Sequence, residues 1–190
     1  MAGLRKKFCD GRGPKAPSSG ANPVTFLKDQ KMGTIYCNRP SDTPDTIPVT
    51  LLHPIFGQFM DDCEKHSPTA EDYTLAAELT VVMRRFYSLE KQRQAEILKV
   101  FHNANIIING SRIGDYTTDG DLSVGLLRYL IAEMKNEIGS QGAEPYLQGI
   151  LYHLESTRDQ ALQYLHSVLP CMIISLFGTL ALFYFLKYLR

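Results

Sequence analysis

TTDGDLSVGLLRYLIAEMKNEIGSQGAEPYLQGILY, residues 117–152, is the stretch whose reading decides the fold. From Leu127 to Asn136 it alternates with period two, so Tyr129, Ile131, Glu133 and Lys135 fall on one face of a strand and Leu130, Ala132 and Met134 on the other. A carboxylate and an ammonium therefore leave one strand face side by side. Just upstream, Asp119-Gly120 is expected as a turn in or beside a hairpin, the glycine supplying φ > 0, and this brings Asp119 back alongside Glu133. From Ala143 the pattern becomes helical. Gln148 and Tyr152, four apart, share one face, while Leu147, Ile150, Leu151 and Leu154 supply apolar contacts.

Two carboxylates, Asp119 and Glu133, with the Met134 carbonyl between Glu133 and Lys135, make a hard oxygen site suited to Mg²⁺. Asp121 competes with Asp119 for that role. Glu137 lies on the same strand face and is expected to be solvated rather than a further ligand.

The spacing Asp119-x13-Glu133-x-Lys135-x12-Gln148-x3-Tyr152 resembles the PD-(D/E)XK nuclease core, in the Gln-x-x-x-Tyr variant of RecB-type nucleases. Locally, EMKNEIGSQGAEPYLQGILY and LLHPIFGQFMDDCEKHSPTAEDYTLAAEL are similar to the region that precedes the kinase domain in the fungal-type protein kinase family, a likeness covering residues 50–178. No G-x-G-x-x-G, H-R-D or D-F-G motif is present, so the likeness is to the N-terminal module alone, with the kinase domain absent.

The resemblance implies an α/β (α+β) domain with a restriction-endonuclease-like αβββαβ core and extra N-terminal helices. It implies metal-dependent phosphodiester hydrolysis of DNA or RNA, with Mg²⁺ or Mn²⁺ on Asp119, Glu133 and the Met134 carbonyl. Asp119 is preferred to Asp121 because Thr118-Asp119-Gly120 matches the family pattern. Lys135 would orient the attacking water and stabilise developing negative charge, and Gln148 and Tyr152 would position the lysine or a phosphate oxygen. Glu78, on a helix before the sheet, is a candidate to complete the metal site. The partners implied are nucleic acid and a kinase. A catalytically inactive nuclease fold serving as an interaction or regulatory module is the alternative.

Composition narrows the remaining classes. The chain has 190 residues, is 44% hydrophobic and 21% charged, and so is expected to hold one globular domain with room for a core. Its formal net charge is zero, so any attraction for nucleic acid has to be local. Cys9, Cys37, Cys63 and Cys171 have no zinc-ligand spacing and fit a reducing compartment, nucleus or cytoplasm. His53, His66, His102, His153 and His166 form no His-x-x-x-His pair.

Residues 1–48 are expected as a disordered tail and linker. The first 22 are basic and rich in Gly, Pro and Ser with no apolar run that would make a secretory signal, and NRPSDTPDTIP, 38–48, is loop-like. The domain is expected over 49–178. Leu51, Leu52, Ile55, Phe56, Phe59 and Met60 predict a short amphipathic helix with Pro54 in its first turn. Ser67-Pro68 and Ser88 are expected to open two further helices, and Asn105–Asn109 is expected as the first core strand.

Val168 to Leu186, VLPCMIISLFGTLALFYFL, carries no charge across nineteen residues. Two readings satisfy it. One is a core strand from Leu169 to Phe177 followed by an apolar tail, 179–190. The other is a membrane-spanning helix over 168–186 in a small, C-terminally anchored membrane protein. Beyond Gly178 the family likeness stops, an ending of the kind a truncated chain has.

Overall fold

The computed structural model describes residues 2–33, 35, 49–51, 54–137, 139, 142–160, 163 and 169–186. The chain is a mixed α+β protein in which one four-stranded sheet separates two helical layers. In chain order, the helices α1 (Ala2–Arg12), α2 (Pro17–Gly20) and α3 (Pro23–Met32) come first. A 3₁₀ turn (Val49–Leu51) leads into α4 (Pro54–Lys65), α5 (Ala70–Met83) and α6 (Glu90–Asn103). The short strands β1 (Arg112–Ile113) and β2 (Tyr116–Thr117) pair with each other, and β3 (Gly120–Val124) and β4 (Leu127–Lys135) follow. Helix α7 (Pro145–Ser156) then crosses to β5 (Cys171–Phe177) and β6 (Leu180–Leu186).

The sheet order is β3-β4-β5-β6. β3 and β4 form an antiparallel hairpin, β4 and β5 run parallel with Glu133 opposite Ser175, and β5 and β6 are antiparallel. A parallel pair requires a crossover, and α7 supplies it. The alternation of β4 and β5 then divides the core. Ile131 and Ile173 face α7, where Ile150, Leu151 and Leu154 join Cys9, Ala21 and Phe26 of the N-terminal segment. Ala132, Met134, Ile174 and Leu176 face α5 and α6, packing on Val82, Met83, Ile97 and Phe101.

α7 lies so close to β5 that a Cβ on Gly149 would sit 2.7 Å from Ile173 Cγ2 and 3.2 Å from its Cδ1. Ile173 is fully buried and has nowhere to move. Gly149→Ala is therefore expected to destabilise the fold by about 1–2 kcal/mol, because overpacking outweighs the gain in helix propensity. Urea denaturation checks this, and a raised midpoint would contradict it.

Several expectations are corrected. Residues 2–32 are not a solvated tail. They form three helices docked on α7, where Arg12 is buried between Asp29 (Nε–Oδ2 2.7 Å) and Glu155 (Nη1–Oε1 2.5 Å), and Arg158 donates to the Cys9 carbonyl. The 38–48 linker lies outside the described residues, as does Leu52.

Residues 171–186 form a hairpin of two sheet strands turned at Gly178 (φ 52°): the expected core strand is present as β5, while β6 stands where the apolar tail was expected and neither strand is part of a spanning helix. Among the described residues no helix is long and apolar enough to cross a membrane.

Asn105–Asn109 makes only a bridge from Asn109 to Asp121. The end of α6 occupies its backbone groups, since Ile106 N–H donates to the Phe101 carbonyl (2.8 Å) and His102 Nε2 meets the Ile108 carbonyl (2.8 Å). The helix starts also shift slightly. Thr69, with Asp72 in a reciprocal capping box, opens α5 where Ser67-Pro68 was expected, and α6 begins at Glu90 after Leu89 rather than at Ser88.

Candidate functional site

Asp119 is a bend beside the β3–β4 hairpin, as expected, but Gly120 is the first residue of β3, opposite Ala132, and not a turn residue with positive φ. Glycine is required there for close approach, because a Cβ would meet Ile108 Cγ2 at 2.6 Å. The hairpin turn itself falls at Gly125 (φ 61°). Since the β3 ladder begins only at Gly120, the Met134 N–H has no strand partner, and Asp119 Oδ2 accepts from it at 2.8 Å. In a strand the N–H and C=O of one residue point to the same edge, so the Met134 carbonyl opens on the side that Asp119 occupies.

Glu133, one residue back, is fully buried, and neither carboxylate oxygen has a hydrogen-bond partner among the described residues. Burial, reinforced by the charge of Asp119, pushes its pKa well above the usual carboxylate range. Asp119 is also raised, chiefly by burial, against the Met134 N–H and the charge of Lys135. For Lys135, burial opposes the ammonium, but a 2.9 Å hydrogen bond to Glu90 and the charges of Asp119 and Glu133 outweigh it and leave the pKa raised. Asp119, Glu133, Lys135 and Glu90 thus act on one another electrostatically at the C-terminal end of β4.

A carboxyl raised in the folded state stabilises the fold fully below its unfolded pKa, and that contribution is lost as pH rises through the folded pKa. Without divalent ions, the urea midpoint is therefore expected to fall as pH rises above the ordinary carboxylate range, and Glu133→Gln is expected to flatten the fall. A variant that keeps the wild-type slope would contradict this assignment.

Glu90 is the site residue that the sequence reading missed. Glu78, the expected acidic residue, is exposed on α5. The helix end that reaches the site belongs to α6, where Glu90 pairs with Lys135 and Gln94 Nε2 donates to the Asp119 carbonyl at 2.7 Å. A signal was available, for Glu90, Arg93, Gln94, Ile97 and Phe101 share one helical face, placing polar residues in line with buried apolar ones.

Gln148 and Tyr152 reach the site differently from their expected role. Tyr152 Oη donates to the Thr117 carbonyl at 2.5 Å, and Gln148 hydrogen-bonds Tyr152. Their effect is to fix the segment entering Asp119, and Tyr152 is kept protonated by burial and by the charges of Glu133 and Asp119. Asp121, the competing acid, is occupied by Thr118 Oγ1 (2.6 Å), Ser111 Oγ and Arg128 (3.5 Å). Glu137 is half-exposed and lies 3.9 Å from Arg93.

No set of three or more His, Cys, Asp or Glu side chains is clustered as a metal cage among the described residues. A Mg²⁺ site needs fewer, since one or two carboxylates with substrate phosphates suffice. The orphaned oxygens of Glu133, with Asp119 beside them, fit a divalent cation in that mode.

Mixed α+β architecture with a buried acid–amine group at a strand end is the class that fold and site define. No family model, no curated protein and no solved structure matches the chain.

Proposed function

We propose that the domain is a metal-dependent phosphodiesterase acting on nucleic acid, with a PD-(D/E)XK-like core. The observation that carries this reading is Glu133: a carboxylate buried without a donor, beside a second carboxylate and an ammonium, is costly to the fold unless a cation completes it. The succession of the β3–β4 hairpin, α7 and a β5 parallel to β4 supports the core assignment.

Asp119, Glu133 and the Met134 carbonyl hold the ion, Mg²⁺ or Mn²⁺, which when bound polarises a phosphoryl oxygen and neutralises its charge. Lys135 presents a fixed positive charge to the negative charge that develops on the phosphate. Glu90 holds the Lys135 ammonium in place, and Gln94, Tyr152 and Gln148 fix the backbone that carries Asp119. Here Gln148 and Tyr152 are positioning residues.

The test is to incubate the full chain with single- and double-stranded DNA and RNA, with Mg²⁺, Mn²⁺ or EDTA. Cleavage that needs the ion and is lost in Glu133→Ala and Lys135→Ala is expected. Equal activity in wild type and variants overturns the reading and leaves an inactive interaction module.

A further inference from the structure

Phe86 is 92% exposed, the most exposed large apolar side chain among the described residues, yet the loop that carries it is firmly held. Arg93, buried in α6, donates to the carbonyls of Met83 (3.4 Å), Arg85 (3.1 Å) and Gly178 (2.8 Å) and stacks 5.2 Å from the Tyr87 ring centre. Tyr87 Oη donates to the Val82 carbonyl at 3.0 Å. The Tyr87 carbonyl in turn accepts from Asn136 Nδ2 at 3.0 Å, and Asn136 directly follows Lys135. An aromatic ring is thus presented to solvent by a braced loop fastened next to the candidate site. Among the described residues no packing contact accounts for it there.

The exposed charge on and beside the loop is mostly basic although the chain as a whole is neutral, the half-exposed Glu137, 3.9 Å from Arg93, being an acid that lies near it. Arg84, Arg85 and Lys91 are exposed, with Arg85 only loosely paired to Glu96 at 4.0 Å, while the nearby Glu90 is engaged by Lys135. A solvent-facing aromatic flanked by guanidinium groups matches a single-stranded polynucleotide, whose bases stack on the ring and whose phosphates meet the cations. A paired, stacked duplex offers no free base face to such a ring.

We propose that the loop from Arg84 to Leu89 is a single-stranded nucleic-acid platform, with Phe86 stacking on an unpaired base and Arg84 and Arg85 taking the adjoining phosphates. This rests on the phosphodiesterase reading for its purpose but not for its test. It puts the base on the loop that Asn136, the residue after Lys135, fastens to the end of β4, and so selects single strands or splayed ends as substrate.

The chain contains no tryptophan, so Phe86→Trp creates a single fluorescent reporter at the platform. Binding is measured on the full chain in EDTA, where hydrolysis plays no part, using labelled oligothymidylate and oligouridylate of about twelve nucleotides and a loop-free duplex of two complementary strands. The single strands are expected to quench Phe86→Trp and the duplex to leave it unchanged. Phe86→Ala is expected to weaken single-strand binding roughly tenfold or more. Replacing Arg84 and Arg85 together by Gln is expected to reduce the salt slope by about 1.4.

Wild-type binding that Phe86→Ala leaves intact, no binding at all, or an unquenched tryptophan overturns the proposal. Cleavage that survives those results keeps the phosphodiesterase reading. Single-strand binding that Phe86→Ala weakens, with Phe86→Trp quenched but no cleavage, keeps the platform and overturns the phosphodiesterase reading.

Discussion

Glu133→Gln is expected to leave the chain folded while lowering Mg²⁺-dependent hydrolysis by about a hundredfold or more. The substitution keeps the shape of the side chain and removes only its capacity for charge. Burial already favours the uncharged carboxyl at this position, so a neutral amide fits the ion-free fold at least as well as the native residue. A cation bound against the carboxylate reverses that preference, and the amide cannot supply the charge.

The stability and activity readouts therefore separate. If Glu133 served packing alone, Gln would leave the rate unchanged whatever it did to the midpoint. If it holds the ion, the urea midpoint in EDTA stays level or rises at neutral pH while the rate collapses. Lys135→Met is expected to lose activity to a similar degree, with one difference: it also leaves Glu90 at the N-terminus of α6 without its 2.9 Å partner. Initial rates on a labelled oligonucleotide, alongside midpoints, check both variants. An undiminished rate in Glu133→Gln would remove the ground for a metal site.

What the sequence made legible is what local periodicity controls. The alternation over 127–136 yields β4, and the stripe Leu147, Ile150, Leu151 and Leu154 yields a buried face on α7, because each follows from a single element meeting a single core. The same alternation placed Glu133 and Lys135 together.

Long-range partnerships were not legible. Arg12 and Glu155 are 143 positions apart, and nothing near Arg12 announces that a basic, glycine-rich opening will fold against the crossover helix. Nor could periodicity separate a spanning helix from two strands over 168–186. β5, buried on both faces, β6, apolar although largely exposed, and a membrane helix all read as unbroken apolar runs, and the hairpin is decided by pairing with β4 and by the turn at Gly178. Glu90 went unnoticed beside the candidate Glu78 for a similar reason, since only packing determines which helix end abuts β4.

Arg12→Ala is expected to destabilise the chain by roughly 3 kcal/mol, at the lower end of the cost of breaking a buried ion pair. The guanidinium lies between two acids, Asp29 at 2.7 Å and Glu155 at 2.5 Å, and all three side chains are almost wholly buried. Removing it leaves both carboxylates inside the protein. Neither is left without a cation, since Lys15 lies 3.2 Å from Asp29 and Arg158 lies 2.9 Å from Glu155. That residual pairing holds the cost near the lower bound.

The loss should also be local. Arg12 closes α1 and contacts both α3 and α7, so the N-terminal helices should be cleaved by protease first, while the sheet and the acid–amine site persist. Arg12→Lys should recover little, because one ammonium on a flexible stem replaces a planar fork that reaches two carboxylates at once. Denaturant midpoints with limited proteolysis decide the matter. A change in stability below about 1 kcal/mol, with the first 32 residues no more accessible than before, would mean that the ion pair does not hold these helices to α7.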